Sequence, residues 1–169
     1  MYIQDIVDKA VHVFHLLYVA GDFDLFHVGH VDFLEKVSQE GDFIIVGLHE
    51  DLLVRKYKGH NYPIMNLHER VLSVLACRYV SEVVIGAPYS VDKALMDHFK
   101  IDLVLCPIAS EEKVDDPYAY PRSLGKLKEI DCKALLRTED VVERVRVNEH
   151  IYRARNAKKA IATVGTNVI

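Results

Sequence analysis

Apolar runs of strand length alternate along this chain with stretches in which apolar residues recur at helical spacing. After a short amphipathic lead-in over residues 1–12, the pattern predicts strands at Phe14–Ala20, Phe43–Leu48, Glu82–Ile85 and Leu103–Cys106. The first two are continuously apolar, which is typical of parallel strands covered on both faces.

Helical patterns fill the gaps between these strands. They predict helices at Val28–Val37, Asn66–Ala76 and Val91–Phe99, with Asn66 as N-cap of the second and Glu69 three positions further on. Alternating strands and helices form βαβ units with right-handed crossovers, and ligands bind such sheets beyond the carboxyl ends of the strands. The predicted fold is therefore α/β and Rossmann-like, a parallel sheet with helices on both faces.

The pattern weakens after the fourth strand. Pro107–Asp131 contains three prolines and an acidic patch, and part of this stretch is predicted to be a loop. Lys133–Leu136 is predicted as a last strand, and Thr138 as the N-cap of a closing helix that runs to about Lys159. Basic residues near the end of that helix are expected to form a solvated surface. We expect a single domain over residues 1–169.

Composition narrows the class of ligand. The chain has 169 residues, half of them hydrophobic and 27% charged, with a formal net charge of -4. This charge offers no general field for nucleic acid, so a small anionic metabolite is the more suitable partner. The three cysteines, Cys77, Cys106 and Cys132, form neither a zinc motif nor a disulfide framework. Without an 18-residue apolar run or a signal-peptide layout, a cytoplasmic protein with no membrane span is expected.

The clearest chemistry lies in the first strand-to-helix turn. Gly21 ends the strand, His27 precedes the helix and His30 lies in its first turn, with Gly29 between the histidines. The N-terminus of a helix offers free N–H groups and partial positive charge, and residues three apart can face one point. The turn is therefore predicted to bind a phosphate through two imidazoles.

Two alternatives stand beside the phosphate site. The histidines could be ordinary surface or core residues. Histidines at positions i and i+3 can also share a zinc ion, for which His49 at the end of the second strand is a candidate third ligand.

The segment Gly21–His30 resembles the HxGH signature of the cytidylyltransferase family, whose members join CTP to phosphocholine, phosphoethanolamine or glycerol 3-phosphate. Further segments, such as Tyr57–Gly59, Asn66–Val80 and Gly86–Tyr89, resemble family members that act on phosphoethanolamine and carry two such domains in tandem. The resemblance implies CTP and phosphoethanolamine as substrates, Mg²⁺ accompanying CTP, and a homodimer or a twin cytidylyltransferase domain as partner.

The resemblance also implies roles for individual residues. His27 and His30 would contact the CTP phosphates and stabilise the transition state, and Lys58 would reach the α-phosphate from a flexible loop after the second strand. Asp51 and Tyr89 would hold the substrate ammonium, because a carboxylate and an aromatic face both attract a cation. The remaining residues implied in nucleotide binding are Gly21, Asp22, Phe23, Asp24, Gly29, Arg70, Arg137 and Thr138.

One family signature is incomplete here. Members carry Arg-Thr-Glu-Gly followed by hydroxyl residues at the start of the closing helix, whereas Arg137-Thr138-Glu139 is followed by Asp140-Val141-Val142. Either the signature begins at Arg137 and is truncated, or Thr138 aligns with the cap of the helix. The loss of phosphate donors leaves two functions open: an active cytidylyltransferase, or a weak or inactive domain that binds nucleotide or supports a catalytic twin. A third alternative is an adenylyl- or glycerol-phosphate-type transferase on the same fold, although glycerol phosphate has no ammonium for Asp51 and Tyr89 to hold.

Overall fold

The computed structural model describes residues 15–108, 116–132 and 136–165, so the predicted lead-in over residues 1–12 lies outside the described residues. The strands are β1 (Leu16–Gly21), β2 (Phe43–Leu48), β3 (Glu82–Ile85), β4 (Leu103–Pro107) and β5 (Leu127–Ile130). The helices are α1 (Val28–Val37), α2 (Asp51–Lys58), α3 (Leu67–Leu75), α4 (Lys93–Phe99), α5 (Ala119–Ser123), α6 (Thr138–Val147) and α7 (Glu149–Gly165).

The strands form one parallel sheet in the order β3-β2-β1-β4-β5. The chain first builds outwards from β1 to β2 and β3, and then crosses to β4 and β5 on the other side. The reversal of strand order lies between β1 and β4, which is where ligands bind sheets of this kind. The predicted α/β fold with a Rossmann-like parallel sheet is confirmed.

Alternate strand residues supply two cores on opposite faces of the sheet. On one face, Leu17 and Val46 pack in a cluster with Leu34 of α1 and Val74 of α3. On the other face, Tyr18, Ile45 and Val104 pack with Met96 of α4. Because successive side chains of a strand point to opposite faces, a fully apolar strand such as β2 needs helices on both sides.

Several boundaries differ from the sequence predictions. Residues after β2, predicted as a flexible loop, form the helix α2, and α5 lies within Pro107–Asp131, the stretch predicted to be partly loop. The last strand is Leu127–Ile130 rather than Lys133–Leu136, a segment of which only Leu136 is described, outside any strand. The predicted closing helix is two helices, because Asn148 adopts a non-helical conformation between α6 and α7.

The chain divides into two compact units, one ending at Ala134 and the other beginning at Leu135. The first contains the whole sheet with α1–α5, and the second contains α6 and α7. Across the described residues, every helix is too short or too polar to cross a membrane.

Candidate active site

The turn between β1 and α1 has a constrained backbone. Phe23 and Leu25 both have positive φ angles, 48° and 47°, a region that side chains other than glycine rarely adopt. At Gly21 a β-carbon would lie 3.3 Å from the Phe23 ring, so glycine suits this close approach. Strain of this kind is common at ligand-binding turns, where the surrounding structure must hold it in place.

Asp24 helps to hold the strained turn in place. Its fully buried carboxylate accepts hydrogen bonds from the N–H groups of Leu25, Ile64 and Met65 at 2.7–3.0 Å. The turn is thereby joined to the segment that leads into α3. In this structure Asp24 shapes the turn through backbone contacts made inside the protein.

The two histidines form a stacked pair at the start of α1, with ring centroids 4.0 Å apart. Nδ1 of His27 accepts a hydrogen bond from the Gly29 N–H at 3.1 Å, and Nδ1 of His30 accepts one from the His27 N–H at 3.3 Å. A neutral imidazole that accepts at Nδ1 carries its proton at Nε2. Backbone capping therefore gives both side chains a donor at the far nitrogen.

The environment keeps His30 neutral. The pKa of His30 is lowered to about 4, mainly by burial and to a smaller extent by the neighbouring His27 and Lys58, while the Asp22 carboxylate acts in the opposite direction. At neutral pH this imidazole is a hydrogen-bond donor without a positive charge. Positive charge for an anionic ligand must then come from the helix terminus and from Lys58.

Lys58 is the last residue of α2, and its ammonium lies 2.7 Å from a carboxylate oxygen of Asp22. Both side chains are largely buried, with 28% of Lys58 and 14% of Asp22 exposed. The lysine nitrogen is also 5.6 Å from the centre of the Tyr62 ring. The charges of Lys58 and Asp22 therefore both act on His30. Lys58 reaches this position from the end of a helix rather than from the predicted flexible loop.

Arg70 of α3 is completely buried and joins the elements around the turn. Its guanidinium donates to the backbone oxygens of Asp22 and His49, each at 2.7 Å, and to that of Met65 at 3.2 Å. It also forms an ion pair with Asp51 at 2.7 Å. Arg70 therefore holds the β1–α1 turn, the end of β2 and the start of α2 in one arrangement.

An aromatic group lies next to these residues, and only Tyr89 of it was predicted to bind substrate. The Tyr57 ring centre is 5.6 Å from those of Tyr89 and His49, and the Tyr57 hydroxyl is 3.0 Å from Nδ1 of His49. Burial raises the pKa of Tyr57 and also the pKa of Tyr118, so both hydroxyls are neutral at pH 7. Tyr57 was missed because an aromatic residue in a helix or loop is usually a packing residue.

The described residues contain no group of side chains that matches the alternative of a zinc site. Among residues 15–108, 116–132 and 136–165, His, Cys, Asp and Glu side chains nowhere form a group of three that could hold a metal ion. His49, the candidate third ligand, instead directs its Nδ1 to Tyr57.

Arg137 and Thr138 lie at the start of α6, in the second compact unit. Arg137 rather than Thr138 is the N-cap, and Thr138 is the first residue of the helix with a buried side chain. The Arg137 N–H donates to the Asp140 carboxylate at 2.8 Å. The N–H of the N-cap residue is therefore already hydrogen-bonded to a carboxylate of the same helix.

A Rossmann-like sheet whose first helix begins with a pair of histidines capped at Nδ1, close to a lysine, defines an α/β domain of the HxGH nucleotidyltransferase type. The chain belongs to the cytidylyltransferase-like family, whose model matches residues 18–163.

Two relatives agree with this family assignment, and one solved structure shares the fold. The chain is 54% identical over 149 residues to an ethanolamine-phosphate cytidylyltransferase of Mus musculus, and 49% identical over 148 residues to one of Dictyostelium discoideum. Each match covers 85% of this chain but only 37% and 41% of the respective relative. A lipopolysaccharide core biosynthesis protein of Thermoplasma volcanium has the same fold, with a TM-score of 0.58 at 19% identity over 70% of this chain and 97% of that one.

Proposed function

We propose that this chain is an ethanolamine-phosphate cytidylyltransferase domain, which transfers the cytidylyl group of CTP to phosphoethanolamine and releases pyrophosphate. The observation that carries the proposal is the histidine pair, since backbone capping of both Nδ1 atoms directs two neutral Nε2–H donors away from the start of α1. The two relatives from Mus musculus and Dictyostelium discoideum, both ethanolamine-phosphate cytidylyltransferases, support the choice of substrates.

The chemistry demands positioning more than covalent catalysis. A phosphomonoester has a second pKa near 6, so phosphoethanolamine is largely dianionic at pH 7 and needs no strong base. One of its oxygens bonds to the α-phosphorus of CTP, and the bond from that phosphorus to the bridging oxygen breaks as pyrophosphate leaves with the electron pair. His27, His30 and Lys58 would stabilise the negative charge that builds up on the phosphates.

Mg²⁺ belongs to the proposal as the companion of CTP, where it would neutralise triphosphate charge. Proteins bind this ion through one or two carboxylates together with substrate phosphates and water. The Asp22 carboxylate beside the histidine pair fits that requirement, since it is the kind of hard oxygen ligand that Mg²⁺ prefers.

The acceptor ammonium is assigned to the aromatic group and to Asp51. Tyr57 and Tyr89 lie within 5.6 Å of each other, and the raised pKa of Tyr57 keeps its hydroxyl neutral. Asp51 has one carboxylate oxygen on Arg70, and 31% of its side chain remains exposed. Aromatic faces and a partly solvated carboxylate together suit a small cation.

The test is the release of pyrophosphate from CTP and Mg²⁺ with phosphoethanolamine, phosphocholine or glycerol 3-phosphate as acceptor. Phosphoethanolamine should give the highest kcat/KM, and glycerol 3-phosphate the lowest because it has no ammonium. Nuclear magnetic resonance of phosphorus would identify CDP-ethanolamine as the product. Equal rates with all three acceptors would contradict the assignment of the ammonium, and absence of product would contradict the reaction.

The start of α6 favours a second candidate function, binding of nucleotide with little or no turnover. Asp140 occupies the Arg137 N–H, and hydroxyl residues of the family signature are missing from this helix. Such a domain would serve a catalytic twin. A thermal shift with CTP and Mg²⁺, for which linkage predicts about 2.7 kcal/mol of stabilisation at a hundred times Kd, but without pyrophosphate release, would establish it.

The expected homodimer or twin-domain partner and cytoplasmic location are also part of the proposal. Val28, between the two histidines in sequence, is 54% exposed, so this face has apolar surface that a second domain could cover. Light scattering would measure the molecular mass in solution, and a mass that stays at one chain at high concentration would exclude the homodimer.

A further inference from the structure

An acidic side chain lies in the part of the site that has to receive a polyanion. Asp22 follows β1 directly, and its carboxylate is 14% exposed and ion-paired with Lys58 at 2.7 Å. Its charge also acts on His30, where it opposes the effects of burial, His27 and Lys58. A carboxylate beside the phosphate donors would repel an anionic ligand unless a cation accompanies it.

The position of this carboxylate is fixed by the fold. The backbone oxygen of Asp22 accepts a hydrogen bond from buried Arg70 at 2.7 Å, and the next residue has a positive φ angle. The backbone of the turn therefore cannot easily move Asp22 away when a ligand arrives. Lys58, in contrast, is on a long side chain at the very end of α2, and Gly59 follows with open space around it.

A metal-free triphosphate would meet this carboxylate as a like charge. Two negative charges at about 6 Å, in surroundings of intermediate polarity, repel strongly enough to change an affinity by roughly a hundredfold. The same triphosphate would also have to take Lys58 from Asp22, leaving a largely buried carboxylate without its counter-ion. A divalent cation on the phosphates removes both penalties, because the carboxylate then faces a cation.

We propose that Asp22 makes nucleotide binding by this domain selective for the Mg²⁺ complex over the metal-free nucleotide. The inference rests on the proposed function for the identity of the nucleotide, and assigns to Asp22 a role in specificity that is separate from the donors of His27, His30 and Lys58. In the free protein Asp22 holds Lys58 over the site. When the Mg²⁺ complex binds, Lys58 is free to contact phosphate and Asp22 faces the metal.

The test compares the affinity for CTP in excess Mg²⁺ and in EDTA, at equal ionic strength, by calorimetry. The native chain should bind the Mg²⁺ complex on the order of tenfold to a hundredfold more tightly than metal-free CTP. In Asp22→Asn, which keeps the shape of the side chain, the difference should shrink to a few-fold, mainly because metal-free CTP binds more tightly. This readout requires no turnover.

Two further variants separate the inference from simpler explanations. Lys58→Met should weaken binding in both conditions, since it removes an ammonium from the phosphate site. If Asp22 served only to hold Lys58, Asp22→Asn would behave like Lys58→Met, and the inference would be overturned. Asp97→Asn, at an exposed ion pair with Lys93 on α4, is the matched control and should leave both affinities unchanged.

The outcomes also distinguish this inference from the proposed function. Equal affinity of the native chain in Mg²⁺ and EDTA would refute the role of Asp22 and leave the transferase proposal standing. Failure to bind CTP in either condition would refute both. Thermal melting of each variant without ligand would show whether it has folded, so that a loss of binding is not mistaken for a loss of structure.

Discussion

Two helices of this chain, α1 and α6, begin where the family resemblance implies contacts to nucleotide phosphates, and they are capped by opposite kinds of group. At α1, His27 and His30 accept backbone N–H groups at Nδ1. Each imidazole thus replaces the backbone donor it occupies with a side-chain donor at Nε2. At α6, the Asp140 carboxylate accepts the Arg137 N–H and leaves negative charge in the first turn.

The comparison teaches that the side chains capping a helix N-terminus decide whether it presents further donors or a negative charge to an anion. Free N–H groups and the helix dipole exist at both starts. At α1 the two capping imidazoles each carry a further N–H donor at Nε2. At α6 the Asp140 carboxylate of the same helix places a negative charge in the first turn, where the helix dipole stabilises it. The predictions below test this difference, from the largest expected effect to the smallest.

Removal of Arg70 should have the largest effect, because it holds the turn that presents the histidines. Arg70→Met leaves the Asp51 carboxylate and the backbone oxygens of Asp22 and His49 without their buried donor. The free energy of unfolding should fall by about 3–5 kcal/mol. Denaturant titration would measure it, with Arg146→Met on the exposed surface of α6 as the control. A loss below about 1 kcal/mol would show that the turn is held by other contacts.

His30→Ala tests the donors of α1 directly. Loss of one preorganised donor to the transition state should lower kcat for pyrophosphate release by about 10²–10³-fold while the fold remains intact. His98→Ala, at an exposed histidine of α4, should leave kcat unchanged. Circular dichroism would confirm folding of both variants. If His30→Ala retained the native rate, the histidine pair could not be the phosphate donor.

The neutrality of His30 predicts a pH dependence of stability. Its pKa is about 4 in the folded chain and near 6.5 when unfolded, so the unfolded chain binds more protons between these values. The contribution is therefore complete above pH 6.5 and is lost as pH falls towards 4, by about 3 kcal/mol in all. Urea unfolding at pH 7.5 and 4.5 should show a smaller difference for His30→Gln than for the native chain, and an identical difference would contradict the assignment.

The sequence predicted the β1–α1 turn well because its signals lie within ten consecutive residues. A glycine at a strand end, two histidines three apart and a helix start need no information from elsewhere in the chain. The contacts of Arg70 with Asp22, His49 and Asp51 could not be predicted in this way, since they join residues 19 to 48 positions apart and depend on how β1, β2 and α3 assemble.

The missed elements share a different cause. In α2, Leu53, Val54 and Tyr57 recur at helical spacing, but Asp51–Lys58 is only eight residues long and Val54 is its one fully buried residue, so the helical signal is short. The edge strand β5 has two exposed central residues in Leu127–Ile130, and its short pattern is no stronger than that of the neighbouring Lys133–Leu136. Periodicity is read most clearly from long segments, and these two elements have only eight and four residues.

The smallest expected effect is at the start of α6. Asp140→Ala removes a side-chain acceptor and a favourable charge from the first turn, which should lower the free energy of unfolding by about 0.5–1 kcal/mol. Asp140→Asn keeps an acceptor and should lose less. Neither change should alter the affinity for CTP with Mg²⁺ beyond about twofold, because this helix start satisfies itself. A larger change in affinity in either direction would show that α6 takes part in nucleotide binding, and the contrast between the two helix starts would then fail.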